Sequence, residues 1–213
     1  MAFGKAGKIK RQAGIRPELF ENILIVTDGE QTETNYFQGL RDSFPDDLRR
    51  KIRIKIISQI DTEDLISVAL RAAREDATFR ETWIVFDRDD RPSDFDSIIV
   101  KAKKNEIRIG WSNPCIEIFF HAYFGKMPNN NVSQQCISEF GKDYKNHTGK
   151  PYKKNDPEIY ETLLTAGNEV TALKLSAKTL QNSIKIASVK KPSNYCPGST
   201  LHELVGKVVA HRN

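Results

Sequence analysis

Two acidic clusters in this chain each follow a short apolar run. Ile23-Leu24-Ile25-Val26-Thr27 leads into Asp28-Gly29-Glu30-Gln31-Thr32-Glu33, and Trp83-Ile84-Val85-Phe86 leads into Asp87-Arg88-Asp89-Asp90. A short apolar run bounded by polar residues reads as a strand buried on both faces. In an open α/β sheet the ligand site lies beyond the carboxyl ends of such strands. Carboxylates crowded there repel one another unless a cation neutralises them, and oxygen-only sets suit Mg²⁺ or Mn²⁺. The expectation is a divalent-metal site at the edge of a parallel sheet, with Asp28, Asp87 and Asp89 as ligands.

Each candidate has a plainer reading. Asp28 and Glu30 can simply close a strand in a polar turn, with Gly29 present for its backbone freedom. For Asp87 and Asp89, strand alternation places both side chains on one side, which is costly without a cation; Asp90 points away, as a solvated or capping residue. Arg88 can pair with these acids or contact phosphate. Glu117 and His121, four apart on a helix, read either as a surface charge pair or as a metal ligand or general base with its neighbour. Ser112 and Asn113 would then cap that helix or hydrogen-bond a phosphate at its N-terminus. His147 and His202 read as lone histidines, Tyr36 and Phe37 as core, and Cys115 as a buried small hydrophobe.

The elements that must position these groups follow from periodicity. Strands are expected over 23–27, 52–56, 82–86 and 107–109, the second half-exposed and near an edge. Helices are expected over 34–40, 62–74 with Asp61 as cap, 93–104, from Ser112-Asn113-Pro114 through Tyr123, and around 132–140. Further helices cover 157–186, broken near Gly167, with Leu163, Val170, Leu173, Leu175 and Leu180 as apolar positions, and a last one follows Ser199 or Thr200. Strands separated by helices of this length give a parallel sheet with right-handed crossovers. The fold class is therefore α/β: a Rossmann-like parallel sheet flanked by helices, with a helical C-terminal extension. The expected organisation is a basic flexible arm over 1–17, an α/β core over 18–125, and a helical part over 126–213 packed on that core.

Composition bounds the possibilities. The chain has 213 residues, of which 38% are hydrophobic and 29% charged, so a soluble globular protein is expected. No stretch approaches the roughly 20 apolar residues that span a bilayer, so no membrane association is expected. The three cysteines are far apart in sequence and lack metal-ligand spacing, which argues for a reducing cytoplasm. Net charge is +5, and its distribution is uneven. Lys5, Lys8, Lys10, Arg11 and Arg16 occur without an acid among them, and lysines recur from Lys142 to Lys191. Taken singly these are solvated side chains. Around an acidic metal site they are what an enzyme acting on a polyanion needs.

The chain resembles a known family. Asp28-Gly29-Glu30-Gln31-Thr32-Glu33-Thr34-Asn35-Tyr36-Phe37 is similar to the opening motif of RloB-like proteins, Glu-Gly-Glu-x-Thr-Glu-x-x-Tyr-Phe. Phe86 to Asp90 resembles the family's Asp-x-Asp motif, Ser112 to Glu117 its Ser-Asn-Pro segment, and Pro197 to Thr200 with Leu204-Val205 its C-terminal motif. These run in order along nearly the whole chain. The resemblance implies a TOPRIM-type fold, bacterial antiphage defence and an ATPase partner. One departure stands out: TOPRIM enzymes carry Glu before the glycine that follows strand one, and here that residue is Asp28. Either Glu30 or Glu33 can reach in instead, and both remain open.

The expected function is a Mg²⁺- or Mn²⁺-dependent nuclease acting on DNA or RNA. In it Asp28, Asp87 and Asp89 hold the metal and Glu30, Glu33 or Glu117 assist. Homo-oligomers are compatible with this reading. The alternative is a non-catalytic subunit that binds nucleic acid or the ATPase through a weakened site. A nucleotide-binding enzyme ranks below both, because no Gly-rich phosphate loop follows the first strand.

Overall fold

Ile23, Leu24, Ile25 and Val26 are fully buried, and alternation divides them between two cores. Ile23 and Ile25 pack with Tyr36, Phe119 and Leu204 on one face of the sheet. Leu24 and Val26 pack with Leu65, Ala69 and Phe95 on the other. Trp83 and Val85 join the first core, Ile84 and Phe86 the second. A run buried on both faces needs no polar alternation, which is why these segments are wholly apolar. Each such side chain contributes about 1.5–3 kcal/mol of burial.

The computed structural model describes residues 21–29, 31–59 and 65–212. The basic arm, Glu30 and the Asp61 cap therefore lie outside the described residues. In order the elements are β1 (Glu21–Asp28), α1 (Thr32–Asp42), α2 (Asp46–Arg49), β2 (Ile52–Gln59), α3 (Leu65–Glu75), β3 (Glu81–Asp87) and α4 (Pro92–Lys104). There follow β4 (Arg108–Asn113), α5 (Glu117–Tyr123), α6 (Ser133–Thr148), α7 (Ile159–Ala166), α8 (Glu169–Ile186), β5 (Gly198–Ser199) and α9 (Leu201–Val209). The sheet order is β2-β1-β3-β4-β5. The first four strands are parallel and β5 runs antiparallel to β4. This is the Rossmann-like α/β arrangement with a helical C-terminal part, and β2 occupies an edge as its half-exposed pattern requires. No helix among the described residues is long and apolar enough to cross a membrane.

Three local expectations need correction. Ser112 and Asn113 do not begin a helix. They end β4, Ser112 pairing with Asp87 and Ser199, and Asn113 with Gly198. The helix begins at Glu117, beyond the cis Asn113–Pro114 bond. The sequence around Asn113 satisfies helix-capping preferences, but β5, from 85 positions later in the chain (198 − 113), recruits it as strand. α6 extends to Thr148 rather than 140 and is closed by Gly149 in the left-handed region at φ 72°. Val170 is 58% exposed. α8 instead buries Ala172, Ser176, Leu180 and Ser183, a largely small-residue stripe that lets it approach α5 and β5 closely.

An aromatic layer seats α1 against α5. Tyr36 contacts Phe37, Phe119, Phe120 and Tyr160 at centroid distances of 5.2–6.1 Å, and its hydroxyl lies 2.7 Å from that of Tyr123. Both elements are thereby held in fixed relation to the ends of β1 and β3.

Candidate functional site

The register Thr27↔Val85 and Asp87↔Ser112 sets the carboxyl ends of β1, β3 and β4 side by side. Asp28 and Asp87 are the last residues of β1 and β3. Between β1 and α1 the chain turns at Gly29, whose φ is 97°. An added Cβ there would lie 3.6 Å from Glu33 Oε2, an ordinary contact, so the glycine is required for the left-handed turn, and Glu33 folds back to lie against it. A threonine clasp fixes this turn. Thr27 and Thr34 hydroxyls are 2.7 Å apart, and Thr34 Oγ1 donates to the Gly29 carbonyl at 3.0 Å.

Glu33, Asp87 and Glu117 form the interior of the site. Burial pushes the Glu33 carboxyl up to about 7, aided by the charges of Glu117 and Asp28. Burial likewise holds Asp87 well above the usual carboxylate range, with Glu33, Asp89 and Glu117 adding repulsion. Asp87 Oδ2 accepts from the Ile116 amide at 2.9 Å, while its Oδ1 is buried without a hydrogen-bond partner. Glu117 is 1% exposed and accepts a hydrogen bond from the Tyr152 hydroxyl at 2.9 Å.

Asp28 lies at the rim, 4.0 Å from Arg91. Asp89 does not continue the strand. It sits at φ 44°, its amide donating to Pro114 O and its Oδ1 accepting from Ser133 Oγ at 2.7 Å. Strand alternation therefore does not govern its direction, although its charge still bears on Asp87. Asp90 is exposed. Arg88 turns away from the acids, donating to Asn113 Oδ1 at 2.9 Å and to Asn131 O at 2.7 Å.

The reading of Glu117 and His121 as a surface pair is overturned, because every side chain of α5 is buried. The helix is packed between α8, α6 and the aromatic layer, and its two polar residues have separate partners: Tyr152 for Glu117, and Asp143 at 3.1 Å for His121. Asn113 donates to Pro192 O and Ser193 O rather than capping a helix. His147 stacks on Phe124 at 4.2 Å, and His202 contacts Ser199 O. Cys115 and Cys136, remote in sequence, share one buried cluster.

Sequence reasoning missed Tyr152, and it counted Lys154 only among the many lysines of the C-terminal half, without placing it at the acids. Thr32 Oγ1 donates to the Lys154 carbonyl at 3.0 Å, which brings residues 149–158 over the acids. No periodic pattern in that stretch marks it as part of the site.

Among the described residues no three His, Cys, Asp or Glu side chains are gathered around one point as a closed ligand set. The donor chemistry nonetheless fits a hard divalent cation. The site offers carboxylate oxygens from four segments, Asp87 Oδ1 is unpaired, and two acids carry raised pKa values that a cation would reverse. No curated protein and no solved structure matches this chain. Among protein families, the RloB-like proteins match over residues 23–208, a span that includes every described carboxylate above. The chain belongs to the RloB-like protein family.

Proposed function

We propose that the protein is a Mg²⁺-dependent nuclease that cleaves DNA or RNA phosphodiesters, acting in bacterial antiphage defence with an ATPase partner. The observation that carries this reading is the meeting of Asp28, Glu33, Asp87 and Glu117 at the carboxyl end of a parallel sheet, with Glu33 and Asp87 both held above the ordinary carboxylate range by burial and by their acidic neighbours. Raised carboxylate pKa values in this position of an α/β sheet support the reading, because functional sites concentrate such groups there.

Asp28, Asp87 and Glu33 would hold the cation, and Asp89 stands close behind Asp87. A bound Mg²⁺ or Mn²⁺ supplies a water of lowered pKa and stabilises charge on the phosphate. The chain's own residues do the remainder. The Ile116 amide fixes one oxygen of Asp87, the threonine clasp fixes the Glu33 turn, and Tyr152 orients Glu117. Glu33, near 7, is poised to accept or return a proton at neutral pH.

A second reading has its own observation. Asp28 replaces the usual glutamate and lies near Arg91, as expected of a weakened site in a nucleic-acid-binding or ATPase-binding subunit. The test is cleavage of labelled DNA and RNA with Mg²⁺ or Mn²⁺, alone and with a genetically linked ATPase. The nuclease reading expects metal-dependent products that vanish in Asp87→Ala. Absence of cleavage under all these conditions rejects it and leaves the binding subunit.

A further inference from the structure

The acidic site poses an electrostatic problem. Carboxylates that attract a cation also repel the phosphodiester it is meant to act on. The compensating charge must come from a basic group held close by. Arg88 is engaged with Asn113 and Asn131, outside the cluster, and Arg91 stands at the rim, 4.0 Å from Asp28.

Residues 149–158 supply such a group. The segment links α6 to α7 without helix or strand and is pinned at two points to the site itself. Tyr152 donates to Glu117 at 2.9 Å, with its ring packed on Phe140 and Tyr144 at centroid distances of 4.7 and 5.5 Å. Two residues later the Lys154 carbonyl accepts from Thr32, the neighbour of Glu33, at 3.0 Å. Beyond it Asp156 accepts from the Tyr144 hydroxyl at 3.1 Å. The backbone of Lys154 is thus strapped between the two helices that carry Glu33 and Glu117. Its side chain is exposed, on a backbone held beside α1 by Thr32 and two residues from the Tyr152 contact to Glu117. Burial works to lower its pKa, but the charges of Glu117, Asp87 and Glu33 outweigh that and raise it.

We propose that Lys154 is the phosphate-gripping residue of this site. It balances the carboxylates in the metal-free protein and meets a non-bridging oxygen of a nucleic-acid phosphodiester once a divalent cation is bound. The inference rests on the nuclease reading and adds a substrate-contacting residue to it. A lysine suits both roles, being a compact charge on a long stem that can swing between partners.

The two roles give opposite signs in one variant. Lys154→Ala removes a positive charge that competes with the metal, so calorimetry should show Mn²⁺ bound roughly three- to tenfold more tightly than by the wild type. The same variant should bind short single-stranded DNA or RNA, in Ca²⁺ at low salt, about tenfold or more weakly. Lys154→Arg should restore most of the oligonucleotide binding. Lys153→Ala, a neighbouring exposed lysine, should change neither quantity. Lys154→Gln, which keeps the stem, guards against a packing effect and should behave as Lys154→Ala. Equal oligonucleotide binding by wild type and Lys154→Ala, or weaker Mn²⁺ binding by the variant, overturns the inference while leaving the nuclease reading intact. A wild type that binds Mn²⁺ but neither DNA nor RNA overturns both.

Discussion

Asp87 is the residue on which most of the site's interactions meet. One of its oxygens is fixed by the Ile116 amide and the other is buried and unpaired. Asp87→Asn keeps the shape and removes the charge, and it should weaken Mn²⁺ binding by tenfold or more, about 1.4 kcal/mol; calorimetry that shows equal affinity sinks Asp87 as a ligand. Glu33 sets the pH dependence. Its folded pKa of about 7 lies above its ordinary value of 4.5, so between these values the native state holds a proton that the unfolded chain has lost. Stability of the metal-free protein should therefore fall as pH rises through that window and level off above about 7. Glu33→Gln should flatten the fall, and saturating Mn²⁺ should oppose it, as urea titrations across the range would show. The placement of Asp28 and Asp87 at strand ends was legible in the sequence because the wholly apolar runs before them mark where the buried strands stop. The burial of Glu117 was not, since its cover comes from α6 and from Tyr152, which is 35 residues away in the chain.

At the scale of elements, the least legible feature is also the most easily tested. β4 is bounded by β5 only at Ser112 and Asn113, and Thr200 completes the edge. Its hydroxyl accepts from the Trp111 amide at 2.9 Å and donates to the Ile109 carbonyl at 3.2 Å, standing in for a strand. Thr200→Val keeps the volume and leaves both backbone groups unpaired, so it should cost about 1–3 kcal/mol in chemical denaturation; an unchanged midpoint would mean that water replaces the hydroxyl there. The apolar strands β1 and β3 and the periodic helix α3 could be read locally, because burial imposes a pattern on each. The Ser112–Asn113 segment could not, because its conformation is decided by a partner near the other end of the chain. α8 misleads for a related reason: close approach selects small residues at its interface and leaves Val170 outside, so hydrophobicity there does not report burial.

At the scale of the whole molecule, charge and catalysis are separable. Net charge is +5 although the site is acidic, so binding to nucleic acid should weaken steeply with salt as counterions are released. A flat response between low and physiological salt would exclude phosphate contacts as its basis. Under the nuclease reading, cleavage would turn instead on Asp28, one methylene shorter than the glutamate that the resemblance to TOPRIM enzymes leads one to expect there. Displacements of this size matter, because reacting groups must be held within a fraction of an ångström of productive geometry. Glu33 folds back against Gly29, next to Asp28 at the strand end. Two outcomes of Asp28→Glu are therefore distinct. If Glu33 has taken over the reach lost at residue 28, the longer side chain will crowd it, and metal-dependent cleavage should fall by tenfold or more. If the site is merely weakened, the same change should raise cleavage. The fold-back of Glu33 over Gly29 favours the first outcome, and the double variant Asp28→Glu with Glu33→Asp tests it directly: exchanging the two lengths should recover cleavage that Asp28→Glu alone loses. Failure of the exchange to recover activity, with Mn²⁺ binding intact, would show that Glu33 does not compensate for Asp28.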